Sequence, residues 1–262
     1  MSSEILKTKI DKRGIFYLNL NRPNIMNAFD DKLIFELNAV FLSLKKNKNI
    51  RALVITGNGK GFSAGADLDW MRRMSDANHQ ENVKDSMKLS EMLNNLYNLP
   101  FPTIAAVNGA AYGGGVGLVT ACDIAVANQY AKFCLSEARL GLIPSVISPY
   151  VIKAVGEKNA KYLFFTSSPI SSKEAAKMGM INVSVENDKL EAVVDEIIEN
   201  ILKGGPKAIK SAKNLIYYVG NKVLGDDVML ETAKRIADSR ASLEGKEGIS
   251  AFLNKRKPNW QE

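Results

Sequence analysis

Apolar residues along the chain change their spacing, from short clustered runs in the first half to helical intervals in the second. GIFYLNLN (14–21) alternates weakly and predicts a strand, closed by a turn at Arg22-Pro23. Asp30 then stands where a cap belongs. Behind it Leu33, Ile34, Leu37, Val40, Phe41 and Leu44 fall at the spacing of an amphipathic helix. RALVIT (51–56), TIAAV (103–107), DIAVA (123–127) and KFCLS (132–136) are β-branched or apolar runs bounded by turn residues, and predict strands. Beyond Pro144 the pattern is mainly helical. Leu190, Val193, Val194, Ile197, Ile198, Ile201 and Leu202 mark one amphipathic helix, and Pro206 is placed to begin another after Gly204-Gly205. Strands alternating with helices, then helices alone, predict an α/β core with a helical C-terminal appendage. The sequence carries no low-complexity segment, heptad array or clear repeat.

Composition narrows this picture. A chain of 262 residues can bury a sizeable core, as one large domain or one domain with an appendage. From Leu99 to Cys122 there is no charged residue, which meets the length of a membrane span. Pro100, Pro102, Asn108 and five glycines break that run into strand, turn and helix, so it reads as buried core and no membrane association is expected. The excess of 35 basic over 28 acidic residues favours anionic ligands such as phosphates and also suits nucleic acid, but a solvated surface is its commoner reason and no nucleic-acid partner is expected. Cys122 and Cys134 are too few for a disulfide framework and lack C-x-x-C spacing, and the polar opening MSSEILKTKIDKRG has no apolar signal-peptide core. A cytoplasmic protein is expected.

Three motifs compete for the chemistry. GFSAG (61–65) matches the G-x-S-x-G nucleophile elbow, with Ser63 at its centre. The elbow needs a strand running straight into the turn, whereas the predicted strand ends at Thr56. The one histidine, His79, follows Ser63 too soon for the usual Ser, acid, His order. GKGFSA (59–64) is a degenerate dinucleotide fingerprint, but GADLDW does not begin a convincing apolar helix. No Walker A motif is present, and one histidine without clustered ligands gives a metal site no support. The third is GGGVGLVTACD (113–123). Glycines between a strand and a helix let the backbone approach a ligand and leave N–H groups free at a helix N-terminus. If the loop SAGADL (63–68) turns a second N–H toward the first, the pair forms an oxyanion hole. Two tight turns that merely pack strand on helix account equally well for the spacing.

FSAGADLDWM (62–71), AAVNGAAYGGGVGLVTACDIAVA (105–127) and FCLSEARLGLIPSVISPYV (133–151) resemble the crotonase superfamily of enoyl-CoA hydratases and isomerases. NRPNIMNAF (21–29) and AFLNKRKPNW (251–260) extend the likeness to nearly the whole chain. The resemblance implies a spiral of β-β-α turns over residues 1–200 and a helical trimerisation region over 201–262. It places the oxyanion-hole amides on Ala66 and Gly114, holding the thioester carbonyl of an acyl-CoA. The CoA moiety would follow Asn24, Ile25 and Met26 and the loop of Ala64, Asp67 and Leu68, with Phe252 and Lys255 approaching its nucleotide end from the same or a neighbouring subunit. No separate cofactor is implied, since CoA belongs to the substrate, and a homotrimer or a dimer of trimers is expected.

One position departs from the pattern. Typical hydratases carry two glutamates; here the first position is Gly117 and only the second, Glu137, remains. General acid–base catalysis by one positioned carboxylate is typically worth about 10²–10⁴-fold, so its loss should impair hydration more than a proton shift between carbons. Glu137 also reads as a surface carboxylate paired with Arg139, although the adjoining LGLIP segment suggests an acyl pocket that would raise its pKa. Three functions follow, of which an enoyl-CoA hydratase is the one expected and the other two are its alternatives. A 3-enoyl-CoA to 2-enoyl-CoA isomerase needs a single base. A hydratase of branched or carboxylated enoyl-CoAs such as 3-methylglutaconyl-CoA is the nearest likeness of SEARLGLIPSVISPYVIKAVGEKNA, and the substrate's own carboxylate would help hold water. Arg72 and Arg73 are candidate partners for that carboxylate, or plain surface charge. Ser145 and Tyr150 are candidate replacements for the missing glutamate. An inactive acyl-CoA- or RNA-binding protein is the third, disfavoured by the retained Glu137 and by the lack of interleaved aromatic and basic residues.

Overall fold

In a computed structural model, residues 3–220 and 222–261 are described. β1 (Leu6–Ile10) pairs antiparallel with β2 (Ile15–Leu20), and α1 (Asp31–Lys46) follows. Three strand–strand–helix turns come next. β3 (Ala52–Gly57) and β4 (Gly61–Ser63) lead into α2 (Leu68–Asp76) and α3 (His79–Tyr97). β5 (Thr103–Val107) and β6 (Ala110–Tyr112) lead into α4 (Gly114–Ala121), and β7 (Ile124–Asn128) and β8 (Lys132–Cys134) into α5 (Ser148–Thr166), whose course breaks at Gly156 with φ 73°. β9 (Ile170–Ser171), α6 (Ser172–Lys177) and β10 (Val183–Val185) precede α7 (Leu190–Lys203), α8 (Pro206–Val219), α9 (Asp226–Ala241) and α10 (Leu243–Leu253).

The first strand of each turn enters one sheet, ordered β1-β2-β3-β5-β7-β10, and the second enters another, ordered β4-β6-β8-β9. That division is the spiral. From β2 to β10 the larger sheet is parallel, with Ile55 beside Ala105 and Ala105 beside Ala125. Every residue of β5 is buried, as expected of a parallel strand covered on both faces.

The expected elements are largely in place. TIAAV is β5 residue for residue, and Asp30 caps α1 by accepting the Leu33 N–H at 2.8 Å. Pro206 opens α8 behind Gly205. The charge-free run becomes β5, β6 and α4, and among the described residues no helix is long and apolar enough to cross a membrane.

Two compact units divide the chain: Met1–Leu99 with Thr103–Val194, and Pro100–Pro102 with Asp195–Glu262. The first contains both sheets. In the second, the buried Lys213 of α8 donates to the Phe101 carbonyl at 3.1 Å.

Candidate active site

The parallel strands β4, β6 and β8 lie side by side and end at Ser63, Tyr112 and Cys134. The loops at their C-terminal ends carry the three groups that the family resemblance singles out: Ala66, Gly114 and Glu137. Ligand sites gather at such ends because the loops there are free to vary while the strands hold them in register. The Gly113 N–H donates to the Cys134 carbonyl at 2.9 Å and ties β6 to β8. Gly65, at φ 87°, passes so close to the end of β6 that a Cβ there would stand 2.8 Å from the Tyr112 carbonyl oxygen. A Cβ on Gly113, at φ 47°, would stand 3.1 Å from Glu137 Oε1 and 3.9 Å from the Gly65 Cα. The three loops therefore meet because two of them lack side chains at the seam.

Both candidate amides lie at that seam. Phe29 bridges to Ala66 in parallel fashion: its N–H donates to the Gly65 carbonyl at 2.6 Å, and its own carbonyl accepts from the Asp67 N–H at 2.8 Å. The residue between two such bonds points its own N–H the other way, so the Ala66 N–H faces away from Phe29. Gly114 is the first residue of α4, where a backbone N–H has no acceptor within the helix. Ala66 is exposed and Gly114 half-buried.

Glu137 opens a short 3₁₀ turn (Glu137–Leu140) that Gly141 closes at φ 70°. Its Oε2 is buried without a hydrogen-bond partner. Burial pushes its proton affinity above the ordinary carboxylate value, offset in part by a hydrogen bond from its own backbone N–H. Among the described residues no ion pair joins it to Arg139.

Gly117 lies one turn further along α4, its N–H bonded to the Gly113 carbonyl at 3.2 Å. A Cβ there would meet Ile147 Cγ2 at 2.2 Å and Leu93 Cδ1 at 3.6 Å. The place of a first glutamate is thus occupied by the buried Ile147 side chain. Of the candidate replacements, Ser145 is exposed, and Tyr150 packs edge-on against Tyr97 with ring centroids 5.4 Å apart.

The remaining candidates fall into two groups. Asn24 and Ile25 form a 3₁₀ turn (Pro23–Ile25), and Met26 follows at φ 47°. The Ala64 N–H donates to the Met26 carbonyl at 2.8 Å, which places this turn against the loop of Ala64, Ala66, Asp67 and Leu68. Ile25, Met26 and Leu68 expose apolar surface there. Phe252 and Lys255 belong to the second compact unit, and both are exposed. Arg72 and Arg73 are paired on the surface with Asp69 at 2.9 Å and Asp31 at 2.5 Å.

Two residues of NRPNIMNAF were not singled out by the sequence, Arg22 and Asn27. Fully buried Asn27 donates from Nδ2 to the carbonyls of Asn58 and Gly61, each at 3.0 Å, and accepts the Arg22 N–H at 2.8 Å. Ser63 is fully buried and donates to the Asn27 carbonyl at 3.0 Å, so it is no nucleophile. The expected reason was incomplete: β4 does run into this turn, and burial is what disqualifies the serine.

Paired strands divided between two sheets, with glycine-backed amides and one buried carboxylate at the strand ends, define a protein of the crotonase fold. The chain belongs to the enoyl-CoA hydratase/isomerase family, whose model matches residues 11–262, and it is an enzyme of that family. It is 32% identical over 261 residues to a crotonyl-CoA hydratase of Syntrophomonas wolfei, covering 98% of this chain and 97% of the relative. A trans-2-decenoyl-[acyl-carrier-protein] isomerase of Streptococcus mutans is 28% identical over 255 residues, with 94% of each chain covered. The crystal structure of an enoyl-CoA hydratase from Shewanella pealeana superposes with a TM-score of 0.93 at 38% identity, covering 98% of this chain and 96% of that one.

Proposed function

We propose that the protein is an enoyl-CoA hydratase in which Glu137 is the only acid–base side chain, working beneath the amides of Ala66 and Gly114. The observation that carries this reading is the Glu137 carboxyl, its Oε2 buried and unpartnered and its Oε1 against the N-terminus of α4. The ionised carboxylate takes a proton from water as the water oxygen bonds to C3 of the enoyl group. The C2=C3 electrons move toward the thioester, whose oxygen becomes negative and is held by the two N–H groups. Glu137 then returns a proton to C2, so H and OH have added across the double bond. A proton affinity raised toward the working pH suits both halves of that cycle.

With Ile147 filling the space beside Gly117, the water needs another partner. A carboxylate on the substrate supplies one, which together with the likeness of residues 136–160 supports a branched or carboxylated enoyl-CoA such as 3-methylglutaconyl-CoA. The same apolar wall favours a second reading, a 3-enoyl-CoA isomerase in which Glu137 carries one proton between carbons and no water is needed. Initial rates on crotonyl-, 3-methylglutaconyl- and 3-hexenoyl-CoA decide between them. Fastest turnover of 3-methylglutaconyl-CoA is expected; turnover of 3-hexenoyl-CoA alone would replace hydratase with isomerase.

A further inference from the structure

The turn before α1 holds a charge that this mechanism does not use. Arg22 Nη2 lies 2.7 Å from Asp30 Oδ2 and 3.5 Å from Asp67 Oδ2, and its Nη1 donates to the Ala28 carbonyl at 2.7 Å. The three side chains are 16–19% exposed. Each carboxylate also has its other oxygen engaged. Asp30 Oδ1 accepts the Leu33 N–H at 2.8 Å, and Asp67 Oδ1 accepts the N–H groups of Asp69 and Trp70 at 2.9 and 3.2 Å. One guanidinium therefore ties the N-cap of α1 to the N-cap of α2. The Phe29–Ala66 bridge lies between those caps, one residue from each.

From this geometry we infer that Arg22 is a positioning residue for the Ala66 amide. The inference rests on the proposed role of that amide as an oxyanion donor. Without the guanidinium two partly buried carboxylates converge with no counter-charge, and the loop relieves their repulsion by moving Asp67 away from Asp30. Ala66 is joined directly to Asp67, so its N–H loses its aim. An oxyanion donor acts through direction and distance, and a misplaced one stabilises the developing charge poorly. Lysine would keep the charge but lose the planar fork that reaches two carboxylates and a carbonyl together.

Butyryl-CoA labelled with ¹³C at the thioester carbonyl is saturated, so it cannot be hydrated, and its carbonyl resonance reports how strongly bound N–H groups polarise it. The native protein should displace that resonance downfield. Arg22→Met should lose most of the displacement, and Arg22→Lys should retain part of it. The kcat of Arg22→Met on the best enoyl-CoA should fall about 10- to 100-fold, less than deletion of a donor costs, with KM changing less than kcat. If Arg22→Met melts at a lower temperature yet keeps the native displacement and kcat, Arg22 only stabilises the fold and the inference is wrong. Should Arg22→Met fail to fold, Arg22→Lys carries the test, and native displacement with native kcat overturns the inference. No displacement in the native complex would overturn the oxyanion reading itself; displacement in the native protein that persists in both variants overturns only the role of Arg22.

Discussion

Burial penalises the carboxylate form of Glu137, and only a hydrogen bond from its own backbone N–H offsets that cost. The consequence is legible in both activity and stability. As the base, Glu137 must be ionised, so kcat/KM should fall on the acid side at a pH above the group's ordinary value of 4.5. In the folded protein the proton is held to higher pH than in the unfolded chain. It therefore favours folding fully below the unfolded value, and that advantage is lost as pH rises through the folded one. Glu137→Gln keeps the shape without the buried charge. Its turnover should drop by about 10²-fold or more with acyl-CoA binding nearly intact. Its melting temperature should exceed the native value at about pH 7 and converge with it near about pH 4. Near-native turnover on every substrate would show that this carboxyl is not the base, and a native protein that melts higher than Glu137→Gln at the neutral pH would show that it is not a burdened group.

Elements were legible in the sequence where burial writes a pattern, and hidden where it does not. β5 is buried throughout and was read residue for residue, and α1 buries six apolar residues at helical spacing behind a capping aspartate. Helix α2 buries none of its residues, so GADLDW shows no apolar stripe although Asp67 caps it. Helix α3 begins in the polar DANHQEN with a capping box of Asn78 and Glu81, and buries only Met92, Leu93 and Leu96 near its far end. β4, β6, β9 and β10 span two or three residues, too few for alternation to be recognised. Of the candidate site, the glycine loops stand out in the sequence by their backbone freedom, whereas Glu137 was placed by the likeness to the crotonase superfamily, since one carboxyl among 28 acidic residues leaves no mark of its own. The clamp of Arg22, Asp30 and Asp67 was not legible, because Asp67 is remote in the chain from the other two. Nor was the wall at Gly117. A side chain there collides with Ile147, the residue that precedes α5, so Gly117→Glu alone should lower stability, by about 1–3 kcal/mol or more from overpacking, and should not raise hydration. Gly117→Glu combined with Ile147→Gly opens that volume, and the pair should hydrate crotonyl-CoA faster than the native protein. Chemical denaturation and crotonyl-CoA rates on the three proteins test this; a stable, more active Gly117→Glu single variant would show that Ile147 is no barrier.

The second compact unit leaves much of its apolar surface in water. Met229, Leu230 and Ile236 of α9 and Leu243, Ile249 and Phe252 of α10 are all at least half exposed, with Phe252 at 82%. A folded chain rarely spreads that much apolar area over two consecutive helices unless another surface covers it. Self-association is the reading that the crotonase resemblance supports, and a head-to-tail contact that closes on itself gives a ring of identical subunits. We expect a homotrimer or a dimer of trimers. Charge shapes how such an assembly responds to its medium. Each chain carries +7, so copies repel over distances that salt shortens, whereas burial of apolar area is not weakened by screening. Sedimentation velocity at micromolar concentration should therefore show a species of three or six chains, and raising the salt should preserve it. Leu230→Lys with Ile249→Lys adds charge to the apolar surface and should yield smaller species that keep the native circular dichroism spectrum. A native protein that sediments only as a monomer at every salt concentration would mean that these helices are covered by something other than a second copy of the chain.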